Sequence, residues 1–288
     1  MKAYLEIVKK IIKNGVVKKN RTGIDAISIA GACFEHDMAD GFPMLTTKNV
    51  PFKLIASELE FFIKGITDKK WLQIRSNHIW DEWCAPTKVS YGHDERTKKK
   101  MLAERDLGPI YGWQWRNFGA KYVAYNKSAN GKGTDQLANI VEKLKKDPSD
   151  RRMIVSAWNP VDLDSMALPP CHYSFQITVI NNKLNLLWNQ RSVDTALGLP
   201  FNIASYALLL HLLAKEAKLE EGKLVGFLAD THIYINHIKG VKEQLKRKPL
   251  ILPKIETRNF KSIFKWCFAD TQLIDYNHHP KIKFDIAV

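Results

Sequence analysis

Residues 173–188, YSFQITVI followed by NNK and LNLLW, decide the fold. Apolar and polar positions alternate on both sides of an asparagine turn, which predicts an antiparallel hairpin. Residues 202–218, NIASYALLLHLLAKEAK, come next and are apolar on nearly every side over their first three turns, which predicts a buried, central helix. Farther out, residues 2–13 set Leu5, Val8, Ile11 and Ile12 at helical spacing, and Gly15 closes that helix. Residues 51–65, PFKLIASELEFFIKG, start with proline near a first turn and stop at glycine, and residues 135–146, DQLANIVEKLKK, form an amphipathic helix. Hairpins mixed irregularly with helices predict a mixed-sheet α/β domain of the α+β type rather than a doubly wound parallel sheet.

The 288 residues can bury a sizeable core as one large domain or two small ones. Residues 90–104 and 125–133 are charged or glycine-containing and read as surface insertions rather than linkers. No window approaches the ~18 consecutive apolar residues of a membrane span, and the lysine-bearing N-terminus lacks a cleavage site, so no membrane or export role is expected. Cys33, Cys84, Cys171 and Cys267 have neither CxxC nor metal-ligand spacing, which argues against disulfides and zinc and for a cytoplasmic compartment. The formal charge of +14 suits nucleic acid, anionic small molecules or simply solvated lysine faces.

Several polar residues stand where apolar ones belong. Glu58 interrupts the stripe of Leu54, Ile55 and Phe62, so it needs an ion-pair partner, a raised pKa or work in acid/base chemistry. Glu60 is rotated by roughly 200° from it and faces elsewhere. A lone cysteine is most often a small core hydrophobe. In ALPPCH (167–172), however, two prolines hold the chain extended into the strand and fix where the Cys171 thiol points. Arginines favour a thiolate nucleophile, and Arg21, Arg151, Arg152 and Arg191, with Ser192, offer forked donors for a phosphate monoester. Asn202 opens the buried helix, where capping is the bland alternative, and DTHIYINH sets His232, Tyr234 and Asn236 on alternate strand positions.

Together these segments resemble the thymidylate synthase family, along essentially the whole chain. ALPPCH resembles its nucleophile segment, QRSVDTALGLPFNIASYALL its nucleotide and folate segment, and DTHIYINH its ribose-binding strand. KKNRTG, DGFPMLTTK, SELEFF, IWDEW, LGPIYGWQWR, DRRMIVSAWN and HHPKIKFDIAV follow the family's order. The resemblance implies one catalytic domain over residues 1–288, a sandwich whose sheets pack back to back in an obligate homodimer. It implies that Cys171 attacks C6 of dUMP and that C5 takes a one-carbon unit from 5,10-methylenetetrahydrofolate. Glu58, Tyr111, His172, Asn202 and Asp194 would share the catalytic cavity. Arg21, Gln190, Arg191 and Ser192 would hold the nucleotide, with Arg151 and Arg152 from the second subunit and His232 and Tyr234 at the ribose. Lys48, Ile79, Trp80, Trp83, Leu168, Asp194, Leu197, Gly198, Phe201, Ala287 and Val288 would form the folate site, Lys48 meeting the glutamate tail.

Some positions depart from the usual synthase text. Ile24 follows RTG, Ala229 precedes DTH, and Glu60, Trp113 and Asn189 resemble phage pyrimidine hydroxymethylases. Those relatives add water to the exocyclic methylene, so a dUMP 5-hydroxymethylase is the alternative expectation, with Asn189 beside the cavity admitting the water. Asn202 argues against a dCMP enzyme, and retention of Trp80, Leu168 and the terminal Ala-Val favours the synthase. The complete polar constellation also argues against a vestigial nucleic-acid binder, so nucleic acid is not the expected partner. The enzyme is expected in the cytoplasm, or phage-encoded and acting in a host's.

Overall fold

The computed structural model describes residues 1–20, 22–129 and 131–286. In chain order it contains α1 (Lys2–Asn14), β1 (Val16–Lys18), β2 (Ala26–Asp37), α2 (Phe52–Ile63), α3 (Lys70–Gln73), α4 (Glu95–Ala103), α5 (Tyr111–Asn117) and α6 (Gln136–Lys146). There follow β3 (Ile154–Ser156), β4 (His172–Ile180), β5 (Lys183–Asp194), α7 (Gly198–Ala217), β6 (Glu220–Tyr234), α8 (Ile238–Lys246), β7 (Lys254–Thr257) and β8 (Thr271–Ile274). Strands pair in the order β1-β2-β6-β5-β4-β3, with β7 and β8 forming a separate ribbon. Only β5 and β6 run parallel in the six-stranded sheet; its other pairs are antiparallel.

The deciding hairpin forms as read. Asn181 and Asn182 both take positive φ, 50° and 60°, the left-handed pair that a two-residue turn needs to match the strand twist. A parallel partner for β5 needs a crossover, and α7 supplies it. Leu208, Leu209, Leu210, Leu212 and Leu213 are all fully buried, which is why a helix apolar on every side is stable there. Trp188 of β5 stacks on Tyr206 of α7, with ring centroids 5.4 Å apart, and this locks the helix to the inner face of the sheet.

Gly15 ends α1 by a different device from the left-handed cap expected of glycine. Its backbone is extended, and its N–H donates to the Ile11 carbonyl. A Cβ there would lie 2.5 Å from that carbonyl oxygen, so glycine is required for close approach. Residues 90–104 also depart from a simple surface insertion. Asp94 caps α4 by accepting from the Thr97 N–H, and Met101 on that helix is buried. Asn236 does not share a strand face with His232 and Tyr234, because β6 ends at Tyr234 and a 3-10 turn follows.

Candidate active site

Cys171 stands at the entry to β4, and two hydrogen bonds hold its backbone. Its N–H donates to the Tyr111 hydroxyl at 2.8 Å, and its carbonyl accepts from the Arg191 N–H at 2.8 Å. Arg191 also folds back on the two residues before the thiol, donating from Nε to the Pro170 carbonyl at 3.0 Å and from Nη2 to the Pro169 carbonyl at 2.7 Å. Prolines lack donors but keep carbonyls, so the diproline segment is an acceptor pair that one guanidinium grips. That carbonyl clamp left no trace in the sequence, which offers Arg191 as a forked donor for a phosphate and a cation near the thiol.

The thiol opens into a cavity of about 770 Å³. Its walls include Leu168, Cys171, Arg191, Ser192, Asp194, His232, Tyr234 and Trp83 from the sequence-derived set. Trp158 and Asp230 also line it and were not anticipated. Trp158 carries the Arg191 guanidinium 5.5 Å from its ring centroid, and the Asp230 carbonyl lies 3.1 Å from His232 Nδ1. Trp83 presents a buried indole N–H that has no hydrogen-bond partner among the described residues.

Behind the thiol lies an aromatic stack. Phe62, Tyr111 and His172 are layered, with centroids 4.8 Å and 4.4 Å apart. His172 shares a 2.9 Å hydrogen bond with the Tyr206 hydroxyl, and burial pushes its imidazole pKa down to about 3, so it is neutral at ordinary pH. Burial likewise raises the Tyr111 phenol well above its usual value, with Cys171 adding to the effect.

Glu58 of α2 accepts from the Trp80 indole at 2.8 Å. Burial raises its carboxyl pKa to about 7, against the opposing effect of that hydrogen bond. Of the escapes open to a carboxylate on an apolar stripe, the structure therefore has a raised pKa and a neutral donor rather than an ion pair. Glu60 faces away, as its helical position predicts; it is buried, pairs with Lys64 and accepts from the Phe268 N–H at 2.8 Å.

At the start of α7, Asn202 Oδ1 accepts from Gln190 Nε2 at 3.0 Å, so its carboxamide orientation is set by β5 rather than by helix capping. Asp194 Oδ1 accepts from the Ala196 and Leu197 N–H groups at 3.1 and 3.0 Å and shapes the turn into the helix. Gly198 sits between these side chains, where a Cβ would be 3.6 Å from Asp194 Cβ. Ile79, Leu197 and Phe201 are partly buried against the core, and Trp80 is buried.

Other expectations fare differently. Lys48 is buried, donates to the Ala196 carbonyl at 2.6 Å and lies 4.5 Å from the Phe284 ring centroid. Burial pushes its pKa down to about 8, with Asp194 opposing. Arg151 and Arg152 are exposed and do not line the Cys171 cavity of this chain; Arg152 pairs with Asp150. Arg21, Ala287 and Val288 lie outside the described residues. Among the described residues, no group of His, Cys, Asp and Glu is arranged to hold a metal ion, and no helix is long and apolar enough to cross a membrane.

Asn189 is not beside the cavity. It donates to Ser174 Oγ at 3.1 Å, in a cross-strand row of Ser174, Asn189, Phe227 and Cys33. Trp188, its neighbour on the strand, faces α7, so the pleat turns Asn189 to the opposite side. Trp113 packs edge-on against Tyr122, with centroids 4.8 Å apart, and lines no part of the cavity.

Comparison with known proteins agrees with this geometry. The family profile described as thymidylate synthase matches residues 2–288. The chain is 42% identical over 300 residues to a thymidylate synthase of Mycoplasma genitalium, covering 100% of both chains. It is also 42% identical over 322 residues to one of Listeria monocytogenes serotype 4a, again covering 100% of each. Identity reaches 43% over 290 residues with a bifunctional dihydrofolate reductase-thymidylate synthase of Paramecium tetraurelia; there the match covers 99% of this chain and 61% of the relative's length.

Proposed function

Because the chain belongs to the thymidylate synthase family, we propose that its cavity binds dUMP and 5,10-methylenetetrahydrofolate together, with Cys171 as the nucleophile. The enzyme methylates dUMP. The observation that carries the mechanism is a cysteine whose backbone is held by Tyr111 and Arg191 at a cavity whose walls also hold Ser192, His232, Tyr234 and Asp194.

The Cys171 sulfur adds to C6 of the pyrimidine, and the electron pair displaced from the C5–C6 bond makes C5 a nucleophile. The folate supplies the one-carbon unit and then the hydride that completes the methyl group. Loss of the C5 proton and departure of the folate amine leave an exocyclic methylene on C5; the hydride adds to it as the Cys171 thiolate leaves C6, which restores the ring double bond and leaves dihydrofolate. Glu58, with its carboxyl near neutrality, passes protons at the pyrimidine carbonyl and C5. Asn202, held by Gln190, reads the uracil amide edge, while His232 and Tyr234 take the ribose. Arg191 and Ser192 take the phosphate with Arg21. Asp194 binds the pterin, and Trp80, Trp83, Leu168, Ile79, Leu197, Gly198 and Phe201 keep water from the methylene. His172 and Tyr111 back the pyrimidine, Lys48 serves the glutamate end, and Ala287 and Val288 close the cavity.

The same reading has two copies packed sheet to sheet, each lending Arg151 and Arg152 to the other's phosphate site. It is supported by the uncovered sheet face, where Phe227 is 47% exposed and Ile154 52% exposed. The compartment is the cytoplasm, as the family reading implies.

Incubation with dUMP and methylenetetrahydrofolate tests the chemistry. The expected products are dTMP and dihydrofolate; hydroxymethyl-dUMP with tetrahydrofolate would overturn the final step. Cys171→Ser lowers turnover by at least about 10³-fold, and unaltered turnover would refute the covalent mechanism.

A further inference from the structure

Lys69, just before α3, is fully buried, with none of its surface reaching solvent. Burial pushes its ammonium pKa below the usual lysine value, opposed by Cys84 and by Asp81, Glu104 and Glu82. Among the described residues, the ammonium pairs with no carboxylate at ion-pair distance. It donates instead to main-chain carbonyls of Asp81 at 3.3 Å, Trp83 at 2.9 Å and Met101 at 2.6 Å. A lysine carries three donor hydrogens, so the constellation uses all of them. Replacing water around a buried cation with backbone dipoles is costly to assemble and persists where the cation holds those dipoles together.

The carbonyls of Trp83 and Met101 bracket the intervening chain, residues 84–100. Cys84, Pro86 and Tyr91 from that stretch, with Trp83 itself, line the Cys171 cavity opposite β4. The stretch has little regular structure before α4, so few backbone ladders fix its position. Other ties are the Ala85 N–H to the Asp106 carbonyl at 2.7 Å and the Lys69 N–H to the Arg105 carbonyl at 2.9 Å. On its other side the Asp81 carbonyl adjoins Trp80, whose indole holds Glu58.

We infer that Lys69 is a positioning residue for the folate side of the site: its buried ammonium staples the 83–101 segment and so holds the wall formed by Trp83, Cys84, Pro86 and Tyr91. This rests on the proposed use of the cavity for dUMP and folate. Nucleotide contacts on β5 and β6, through Ser192, His232 and Tyr234, do not depend on that segment. Lys69 therefore acts on one ligand and spares the other.

Lys69→Met keeps most of the length of the unbranched side chain and removes the donors. The expected result is a rise of roughly tenfold in KM for methylenetetrahydrofolate with KM for dUMP unchanged within about twofold. Folate affinity of the dUMP complex, read by quenching of tryptophan fluorescence, falls by the same factor. Lys69→Gln, which retains two donors, falls between wild type and Lys69→Met, and it carries the comparison if the methionine variant does not fold. Equal rises in both KM values, or loss of thermal stability with both KM values unchanged, would overturn the assignment and leave Lys69 a support of the fold alone. Wild-type enzyme making no dTMP would instead refute the functional reading, which the fluorescence measurement does not require.

Discussion

The main-chain N–H of Cys171 and the hydroxyl of Tyr111 are joined by a 2.8 Å hydrogen bond across 60 positions of sequence. The phenol oxygen is the acceptor, so the bond fixes the backbone that carries the sulfur. It also ties Cys171 to the Phe62–Tyr111–His172 stack and hence to α2, which bears Glu58. Cys171 and Glu58, the proposed nucleophile and proton-transfer group, are thus set relative to each other through one aromatic ring.

Tyr111→Phe removes that acceptor from the part-buried Cys171 N–H. The expected cost is about 1–3 kcal/mol in unfolding free energy, together with a fall in kcat of roughly tenfold or more. Denaturant melts and steady-state kinetics measure both; wild-type kcat in this variant would mean that the bond does not position the thiol.

The Glu58 carboxyl, with its pKa raised to about 7 by burial, predicts opposite pH trends for activity and stability. As a base it must be ionised, so kcat climbs with pH and levels off above about 7. In stability terms the folded state holds the proton more tightly than the unfolded chain does. That contribution is complete below the ordinary carboxyl pKa and is lost as pH rises through about 7. Glu58→Gln abolishes the kcat limb, lowers kcat by roughly 10²-fold or more, and melts above wild type at about pH 8, the gap closing on acidification. A pH-independent difference in melting temperature would contradict this.

Asn202→Asp leaves Gln190 Nε2 an oxygen to bond, so the fold tolerates it, but exchanges amide donors for an acceptor at the base edge. The ratio of kcat/KM for dCMP to that for dUMP should rise by about tenfold or more. An unchanged ratio would show that uracil is read elsewhere.

Phe227→Glu puts a charge on the uncovered sheet face. Sedimentation should show the proposed dimer associating at least about tenfold more weakly, with activity falling in parallel under the proposed action of Arg151 and Arg152 in trans. A monomeric wild-type protein with full activity would remove the dimer from the mechanism.

The features legible in the sequence were those with a local period or local chemistry. Helices α1, α2, α6 and α7 and the β4–β5 hairpin follow from spacing and turn residues, and Cys171 and Glu58 stood out as misfits. Contacts between distant segments left no such trace. The Arg191 clamp on Pro169 and Pro170 spans 22 and 21 positions, and the Lys69 bond to Met101 spans 32. Asn189 was misplaced because alternation gives two faces without saying which one meets the helix; the Trp188–Tyr206 stack decides that. Asn236 was misplaced because nothing between Tyr234 and His237 announces the end of the strand.

The lone parallel pair has a kinetic consequence. Arg191 and Ser192 lie on β5, and His232 and Tyr234 on β6, with Ser192 in register with Asp230. These strands cannot meet through a tight turn; the whole of α7 must first dock. Half a nucleotide pocket is therefore not available from an early hairpin intermediate. The proposed ribose and phosphate ends appear together, late, when the crossover closes. During refolding, nucleotide capture should lag behind recovery of helical circular dichroism, so binding competence would act as a clock for the last step of assembly.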